Sequence, residues 1–258
     1  MTLPTQIADL AARKALFVIN HSGGKDSQAM MIKLLESGIP ASQMIVVHAS
    51  LGEMEWDGAL ELAQQQAADA GVPFVIARAE KSFLDMVERR FAARPEVPSW
   101  PSASHRQCTS DLKRNPIERE VRRYMKARGL LLVVSCTGIR AAESVSRSKL
   151  NPLKLNASQS KAGRSWYEWC PIFDMTTAAV FATIANAGQQ PHAAYAAGNE
   201  RLSCVFCIMG SKNDIARGAL ARPELFAQYV AMEERTGYTM HMSRKSLTQL
   251  VEEAQLTA

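Results

Sequence analysis

Residues 15–27 read ALFVINHSGGKDS, and the fold class follows from them. The first six of these residues are an apolar run, which is typical of a strand buried in a sheet. A polar turn with two glycines comes next, and Met31, Leu34 and Leu35 then recur at the spacing of one helix face. A strand, a tight turn and a helix in this order predict the start of a βαβ unit.

The same alternation continues along the chain. Apolar runs at 44–48, 74–77 and 130–135 predict three further strands, and amphipathic patterns between them predict helices. Strands that alternate with helices indicate an α/β fold with a doubly wound, mostly parallel sheet. The last third is mainly helical, so we expect an α/β domain over 1–165 and a helical C-terminal region over 166–258 that packs on it.

Composition excludes several classes of protein. The chain has 258 residues, of which 47% are hydrophobic and 21% charged, and such values are close to those of soluble globular proteins. No apolar run approaches the roughly 18 residues that span a bilayer, and the N-terminal residues lack a signal-peptide pattern. Five cysteines, an odd number, do not suit a disulfide scaffold. We therefore expect a cytoplasmic protein without membrane contact.

The basic residues are concentrated in the middle of the chain. The net charge is +5, but residues 81–164 alone hold 18 Lys and Arg against 7 Asp and Glu. Such a segment favours an anionic partner, either a nucleotide or a nucleic acid, although solvated helix faces give the same pattern. Within it, the polar stretch 146–164 is expected to form a mobile loop.

The turn SGGKDS has the composition of a phosphate-binding loop. Its two glycines allow a tight turn and a close approach of the backbone to a ligand. The helix that begins near Asp26 directs N–H groups and the positive end of its dipole at an anion. Ser22, Ser27 and Lys25 add two hydroxyls and a charge. The spacing differs from the Walker A and dinucleotide-binding patterns, and the alternative is a corner that uses glycine for its geometry alone.

Four motifs together resemble a known superfamily. SGGKDS is similar to the PP-loop of the adenine-nucleotide α-hydrolases, which include ATP pyrophosphatases, sulfonucleotide reductases and tRNA thiolation enzymes. RQCTSDLK at 106–113, followed by Pro116, resembles a segment of the phosphoadenylylsulfate (PAPS) reductase family. TGIR at 137–140, followed by Glu143-Ser144 and Arg147, resembles a second segment of that family.

The fourth motif adds a sulfur-transfer element. RLSCVFC at 201–207 resembles the Cys-x-x-Cys of iron–sulfur members of the superfamily and of DNA phosphorothioation sulfurtransferases. The resemblance runs over about residues 15–210, with the motifs in the expected order. As a whole, the chain is most similar to the PAPS-reductase-like proteins of phages and prophages.

The resemblance implies a nucleotide site at the carboxyl edge of the sheet. The PP-loop would hold the phosphates, the loop after the second strand would lie near the adenine or ribose, and arginines after the fourth strand would grip a phosphate or sulfate. Lys25, Asp26 and Arg140 are the expected catalytic residues, and Mg²⁺ would accompany ATP. For Lys113 and Arg147 a solvated surface role is the alternative. The expected nucleotide-binding residues are Ser22, Gly23, Gly24, Lys25, Asp26, Ser27, Ala49, Gly52, Lys113, Gly138, Arg140 and Arg147.

Three cysteines are expected to hold a metal centre. Two thiolates at the spacing of Cys204 and Cys207 bind one centre, and the resemblance implies that the segment of Cys108 packs nearby. We expect a [4Fe-4S] cluster on these three residues, with either Cys136 as a fourth ligand or one iron left open. Zinc, or free thiols without a cofactor, are the alternatives, and Cys136 is equally interpreted as a buried apolar residue. Cys170 is expected to be structural.

The expected function is sulfur transfer after nucleotide activation. Sulfonucleotide reductases that resemble this chain carry a nucleophilic cysteine in a C-terminal tail, and no cysteine follows Cys207 here. We therefore expect ATP-dependent activation with release of pyrophosphate, with a nucleic acid as candidate acceptor and a protein as candidate sulfur donor. A sulfonucleotide reductase and a non-catalytic nucleotide-binding accessory protein in phage–host conflict are the alternatives. A homo-oligomer is compatible with each of them.

Overall fold

The chain forms two compact units. The computed structural model describes residues 3–255. The first unit consists of the residues up to Ala49, Gly58–Ala77 and Ile117–His192. The second unit consists of Ser50–Asp57, Arg78–Pro116 and the residues from Ala193 onward.

Strands and helices alternate through the first part of the chain, as the sequence predicts. The strands are β1 (Leu16–Asn20), β2 (Met44–Ser50), β3 (Phe74–Arg78), β4 (Leu132–Cys136), β5 (Leu153–Leu155) and β6 (Ser165–Trp169). The helices are α1 (Thr5–Ala12), α2 (Lys25–Leu35), α3 (Ala59–Asp69), α4 (Phe83–Ala93), α5 (Gln107–Thr109), α6 (Asn115–Ala127), α7 (Val145–Ser148), α8 (Thr177–Asn186), α9 (Ala193–Ala196), α10 (Lys212–Ala221), α11 (Pro223–Thr236) and α12 (Leu247–Gln255).

The six strands form one sheet in the order β3-β2-β1-β4-β6-β5. β1 pairs in parallel with both β2 and β4, β4 pairs in parallel with β6, and β5 is antiparallel to β6. The prediction of a mostly parallel α/β sheet is therefore confirmed. Because the chain order reverses between β1 and β4, the carboxyl ends of these two strands form the crevice where such sheets bind ligands.

β1 lies inside the sheet and is buried on both faces. Phe17 and Ile19 belong to a core cluster that also contains residues of α2 and α8, whereas Leu16 and Val18 belong to a cluster with residues of α6. Burial of both faces explains why this strand is an unbroken apolar run in the sequence. Trp166 on β6 is also buried, at 1% exposure, so its ring belongs to the core.

The second unit is built around aromatic rings. Phe83 of α4 stacks on Tyr229 of α11, with ring centroids 5.8 Å apart and planes at 16°. Trp100 lies 6.1 Å from the Tyr229 ring, and its Nε1 donates a hydrogen bond of 2.8 Å to the Tyr238 carbonyl oxygen. Phe206 lies 5.1 Å from the same tyrosine ring. The short segment around Phe206 is thus anchored in this core.

One sequence prediction about the fold is wrong in part. The stretch 146–164 contains the strand β5, where Leu153, Lys154 and Leu155 pair with β6. A three-residue strand at a sheet edge is too short to show a period in the sequence, which is why a loop was the expectation. The expected division into 1–165 and 166–258 stays a prediction, and its ends at residues 1–2 and 256–258 lie outside the described residues.

No helix within residues 3–255 is both long and apolar enough to cross a membrane.

Candidate functional site

Hydrogen bonds close the turn between β1 and α2 on itself. The Ser22 N–H donates to Ser27 Oγ at 3.2 Å, and Ser27 Oγ donates to the Gly24 carbonyl oxygen at 2.8 Å. The Gly23 N–H donates to Nδ1 of His21 at 3.1 Å. Gly24 is the N-cap of α2, and no side chain in the described part of the chain caps this helix. This end of α2 therefore has the geometry of an anion-binding site.

Two residues directly before SGGKDS anchor the turn, although sequence reasoning missed them. Asn20 Nδ2 donates to Ser135 Oγ at 2.9 Å and to the Cys136 carbonyl oxygen at 2.7 Å, which ties the end of β1 to the end of β4. His21 is 1% exposed, and burial lowers its pKa to about 4, which hydrogen bonding to Gln66 opposes. The ring is neutral near pH 7, so Nδ1 can accept a backbone N–H. The signal that could have found both is their place between an apolar strand and a phosphate-type turn.

Two of the predicted glycines permit close contacts around the turn. Gly23 has φ +74°, and a Cβ at this position would lie 2.4 Å from the Ala59 carbonyl oxygen. At Gly138, which follows β4, a Cβ would lie 2.9 Å from the Asp26 carbonyl carbon and 3.1 Å from the Ser27 nitrogen. Contacts below 3 Å are not tolerated by real side chains, so each glycine lets a neighbouring backbone segment approach the turn.

The structure brings the three expected catalytic residues together. Asp26 Oδ1 accepts a hydrogen bond of 2.7 Å from Arg140 Nε, and its Oδ2 lies 3.3 Å from Lys25 Nζ. Arg140 Nη1 also donates to the Met175 carbonyl oxygen at 3.1 Å. Lys25 is 5% exposed and Arg140 is 3% exposed. Two nearly buried cations thus contact one carboxylate directly beside the turn.

The remaining predicted nucleotide contacts lie on three different elements, and Arg147 belongs to α7. Arg147 forms an ion pair with Glu143, whose Oε2 also accepts the Arg140 backbone N–H at 2.9 Å. Ala49 is the next-to-last residue of β2. Gly52 belongs to the second unit, where it begins a 3₁₀ turn with φ +62°. Contacts of Arg147, Ala49 and Gly52 with a nucleotide stay predictions.

Cys204 and Cys207 flank a tight turn of the second unit. Cys204 pairs with Glu55 in an antiparallel bridge, and the neighbouring Val205 N–H donates to the Met54 carbonyl oxygen at 2.8 Å. Both thiols are partly buried. The bridge fixes the backbone of this turn at the edge of the aromatic core.

Lys113 lies in a π-helical turn that directly follows the short helix of Cys108. Cys108 lies in α5, and the π turn covers Ser110–Arg114, with the Asn115 N–H donating to the Ser110 carbonyl oxygen. π turns occur frequently at functional sites. The contact of Lys113 with the nucleotide stays a prediction.

Lys113 lies within electrostatic reach of three thiols. Cys204 raises the pKa of Lys113, burial opposes this, and Cys207 and Cys108 add to it. Burial raises the pKa of the Cys108 and Cys204 thiols, and the nearby Lys113 ammonium lowers it. The structure therefore groups the three expected ligands around one cation. We call Cys108, Cys204 and Cys207 the three-cysteine group.

The three-cysteine group fits an iron–sulfur cluster by its donor chemistry. Thiolates are the usual ligands of such clusters, and each of them binds a different iron, so the sulfur atoms stay apart. A single zinc ion instead draws all its sulfur ligands to about 2.3 Å from one point. Within residues 3–255 the structure shows no group of three or more His, Cys, Asp or Glu side chains that could hold a metal ion, so the cluster stays a prediction. A nearby ammonium would also offset the negative charge of the thiolates.

The other two cysteines belong to the first unit. Cys136 is fully buried in β4, and its Sγ donates to the Val134 carbonyl oxygen at 3.8 Å. Cys170 Sγ lies 3.5 Å from Thr137 Oγ1. Burial raises the pKa of both thiols. The packing of Cys136 agrees with its interpretation as a buried apolar residue, and its role as a fourth cluster ligand stays a prediction.

The turn, the arginine after β4 and the Cys-x-x-Cys all fall within one family match. The family described as phosphoadenosine phosphosulfate reductase domain matches residues 17–209. The chain belongs to this family. This confirms the family that the four motifs predict.

Two curated relatives are distant. A protein of Methanocaldococcus jannaschii is 24% identical over 85% of this chain, and this chain spans only 48% of its length. A protein of Escherichia phage 186 is 24% identical over 86% of this chain and 75% of its own length. The second relative agrees with the expected similarity to phage proteins.

Similar solved structures include three enzymes of nucleotide or sulfur chemistry. PAPS reductase of Candida auris has a TM-score of 0.48 at 13% identity, over 79% of this chain and 97% of its own. FMN adenylyltransferase of Candida glabrata with ATP has a TM-score of 0.49 at 12% identity, over 77% and 55%. The U34-tRNA thiolase NcsA of Methanococcus maripaludis, solved with its [4Fe-4S] cluster, has a TM-score of 0.45 at 12% identity, over 97% and 79%.

Proposed function

We propose that this PAPS reductase family protein is an enzyme that binds an adenine nucleotide at residues 22–27 and uses it for sulfur transfer. The observation that carries the proposal is the pair of nearly buried cations, Lys25 and Arg140, which share the Asp26 carboxylate at the N-terminal end of α2. A phosphate placed there would meet the positive end of a helix dipole, two hydroxyls and the side chains of Lys25 and Arg140. Adenine nucleotides are the ligands that the family membership favours.

The same arrangement suits nucleotidyl activation. An acceptor oxygen would attack the α-phosphate of ATP, the bond to the β-phosphate would break, and pyrophosphate would leave with Mg²⁺. Lys25 and Arg140 would stabilise the negative charge that develops on the phosphate oxygens, and Asp26 would hold both cations in position. Hydrosulfide would then displace AMP from the activated acceptor, so that sulfur replaces the acceptor oxygen.

The three-cysteine group would hold the sulfur-handling cofactor, which we propose to be a [4Fe-4S] cluster. When bound, a cluster with three protein ligands supplies an iron at which a sulfur atom can be held for transfer. Cys108, Cys204 and Cys207 would be those ligands, and Lys113 would neutralise part of their charge. A nucleic acid is the acceptor class that the basic segment 81–164 favours.

Binding of nucleotides tests the first step of this proposal. We expect Lys25→Met to weaken ATP binding at least about tenfold, which corresponds to roughly 1.4 kcal/mol. Lys33→Met is the matched control, because Lys33 lies on the same helix and pairs with Glu36 at 2.8 Å, at the far end from the turn. Equilibrium titration with ATP, PAPS and adenylyl sulfate would measure both variants. A wild-type protein that binds none of the three nucleotides would refute the proposal.

The family match itself favours a second candidate, a thiol-dependent sulfonucleotide reductase. Release of pyrophosphate from ATP by anaerobic protein, with a candidate nucleic acid present, would support sulfur transfer. Thioredoxin-dependent release of sulfite from PAPS or adenylyl sulfate would instead support the reductase. Tight nucleotide binding without either product would identify an accessory protein.

A further inference from the structure

Tyr229 of α11 carries a hydroxyl that the fold leaves without a partner. The side chain is 0% exposed. Its Oη forms no hydrogen bond with any of residues 3–255. A buried hydroxyl without a hydrogen bond is unfavourable, and native structures retain few of them without a reason such as an ion or group that binds there.

The direction of this hydroxyl is fixed by the rings around it. Phe83 stacks on the Tyr229 ring at 5.8 Å, Trp100 lies 6.1 Å away and Phe206 lies 5.1 Å away. Phe206 stands between Cys204 and Cys207 in the sequence, so the ring packs directly on the turn that carries these thiols. Rotation of the phenol away from this turn would require the aromatic core to repack.

The hydroxyl lies within electrostatic reach of all three members of the three-cysteine group. Burial raises the pKa of Tyr229 well above its usual value, and negative charge on Cys204, then Cys207, then Cys108 raises it further. A phenol keeps its hydrogen near pH 7 and is a donor. Of the three sulfurs, that of Cys204 has the strongest electrostatic influence on the hydroxyl.

We propose that Tyr229 is a positioning residue that donates a hydrogen bond to the Cys204 sulfur when the three-cysteine group holds its cluster. This inference rests on the cluster of the proposed function and names a residue that controls it. Hydrogen bonds to cluster sulfurs and ligand thiolates help to set the reduction potential, because they stabilise the more negative, reduced state. In the protein with its cluster, the Tyr229 hydroxyl would thus gain the hydrogen bond that it lacks among residues 3–255.

The test compares Tyr229→Phe with Tyr238→Phe. The first variant removes only the buried hydroxyl and keeps the ring. The control removes a hydroxyl of the same unit that donates to the Pro95 carbonyl oxygen at 3.3 Å at the surface. Both variants and the wild type would be purified anaerobically and studied before and after reconstitution with iron and sulfide, and separately with Co²⁺ alone.

We expect opposite effects in the two states. Without metal, Tyr229→Phe should unfold in urea at the same or a higher midpoint than the wild type, with an unchanged near-UV circular dichroism spectrum. With the cluster, it should show a more negative reduction potential, a shifted visible charge-transfer band and several-fold faster loss of iron to a chelator. Tyr238→Phe should leave the potential, the band and the rate of iron loss unchanged.

The outcomes separate this inference from the proposed function. If the cluster forms equally in the wild type and in Tyr229→Phe, with the same reduction potential and the same visible spectrum, only the role of the tyrosine is overturned. A lower urea midpoint for metal-free Tyr229→Phe would also overturn it, since the hydroxyl would then already have a partner. A wild-type protein that binds neither an iron–sulfur cluster nor Co²⁺ would overturn the cluster and the inference together.

Discussion

Gly23 shows how a single missing Cβ shapes the candidate nucleotide site. Its φ of +74° disfavours any other residue, and a Cβ would also lie 2.4 Å from the Ala59 carbonyl oxygen and 2.8 Å from its Cα. The two penalties are separable, because Gly38 has a similar φ of +82° with nothing within 4 Å of a Cβ. The pair therefore allows backbone strain to be measured apart from close approach.

We predict that Gly23→Ala lowers the free energy of unfolding clearly more than Gly38→Ala, whose cost is the positive φ alone, about 1 kcal/mol. Gly23→Ala should add a displacement of the turn and weaken ATP binding at least about tenfold, whereas Gly38→Ala should leave affinity unchanged. Urea unfolding and nucleotide titration would measure both variants. Equal affinity of the two variants would show that the turn does not hold the nucleotide.

His21 links the turn to the pH dependence of stability. Its folded pKa of about 4 lies below the ordinary value of 6.5, so the unfolded chain takes up the proton first as the pH falls. Stability from this group is fully present above pH 6.5 and is lost as the pH falls through about 4. The loss amounts to about 3 kcal/mol for a shift of this size.

We predict that His21→Asn reduces the fall in stability between pH 7 and pH 4. Urea unfolding of the variant and of the wild type at several pH values would measure the difference in stability. The contribution of the carboxylates is the same in both proteins and drops out of this difference. His241→Asn is the control, because this histidine lies in the second unit and bonds the Gly210 carbonyl oxygen at 2.9 Å. Parallel pH profiles for the wild type and His21→Asn would contradict the burial of a neutral imidazole.

Helices and strands with a strong local sequence pattern were predictable. Short strands that form only by pairing with another strand were not. The strand β1 and the helix α11 (Pro223–Thr236) follow from an apolar run and from a proline at the helix start. β5 and β6 escaped prediction, since they have only three and five residues. Both strands form by pairing with strands distant in the sequence, and a local hydrophobic period does not indicate such pairing.

The π turn at Ser110–Arg114 gives an element that can be tested by deletion. Removal of Ser110 should convert it to a regular α-helix and rotate Lys113 by about 100° relative to Cys108. We predict that the variant reconstituted with iron and sulfide loses iron to a chelator several-fold faster than the wild type, with little loss of helix. Deletion of Ala103, in the loop before α5, is the control. An unchanged rate of iron loss after removal of Ser110 would show that the turn does not position the cysteines.

Across the whole chain, the candidate nucleotide site was predictable from the sequence, and the three-cysteine group was predictable only in outline. SGGKDS and the residues after β4 meet because parallel strands end at one edge, a rule that sequence order already contains. The three-cysteine group instead combines segments almost a hundred residues apart, within a unit made of three separate stretches of chain. Only the resemblance to a family suggested their meeting, and nothing in the sequence suggested Tyr229.

The uneven charge of the chain offers a test of the acceptor class. The helix α6 lies in the basic segment, and Arg123 and Lys126 are exposed on it. Counterion release makes nucleic-acid affinity fall with salt, with a slope that reports the number of phosphates bound. If a nucleic acid is the acceptor, removal of cations from this helix must change both the affinity and the slope.

We predict that the double variant Arg123→Glu/Lys126→Glu weakens binding of a tRNA or a DNA duplex at 100 mM KCl. The salt slope should fall by about 1 for each phosphate that the variant no longer neutralises. Arg13→Glu on α1 is the control, since Arg13 is an exposed cation outside the basic segment, 3.2 Å from Asp9. Fluorescence anisotropy over a range of KCl concentrations would measure all three proteins. If the double variant and the control bind alike, the excess charge of this helix serves solvation, and the sulfur acceptor must be sought among small molecules or proteins.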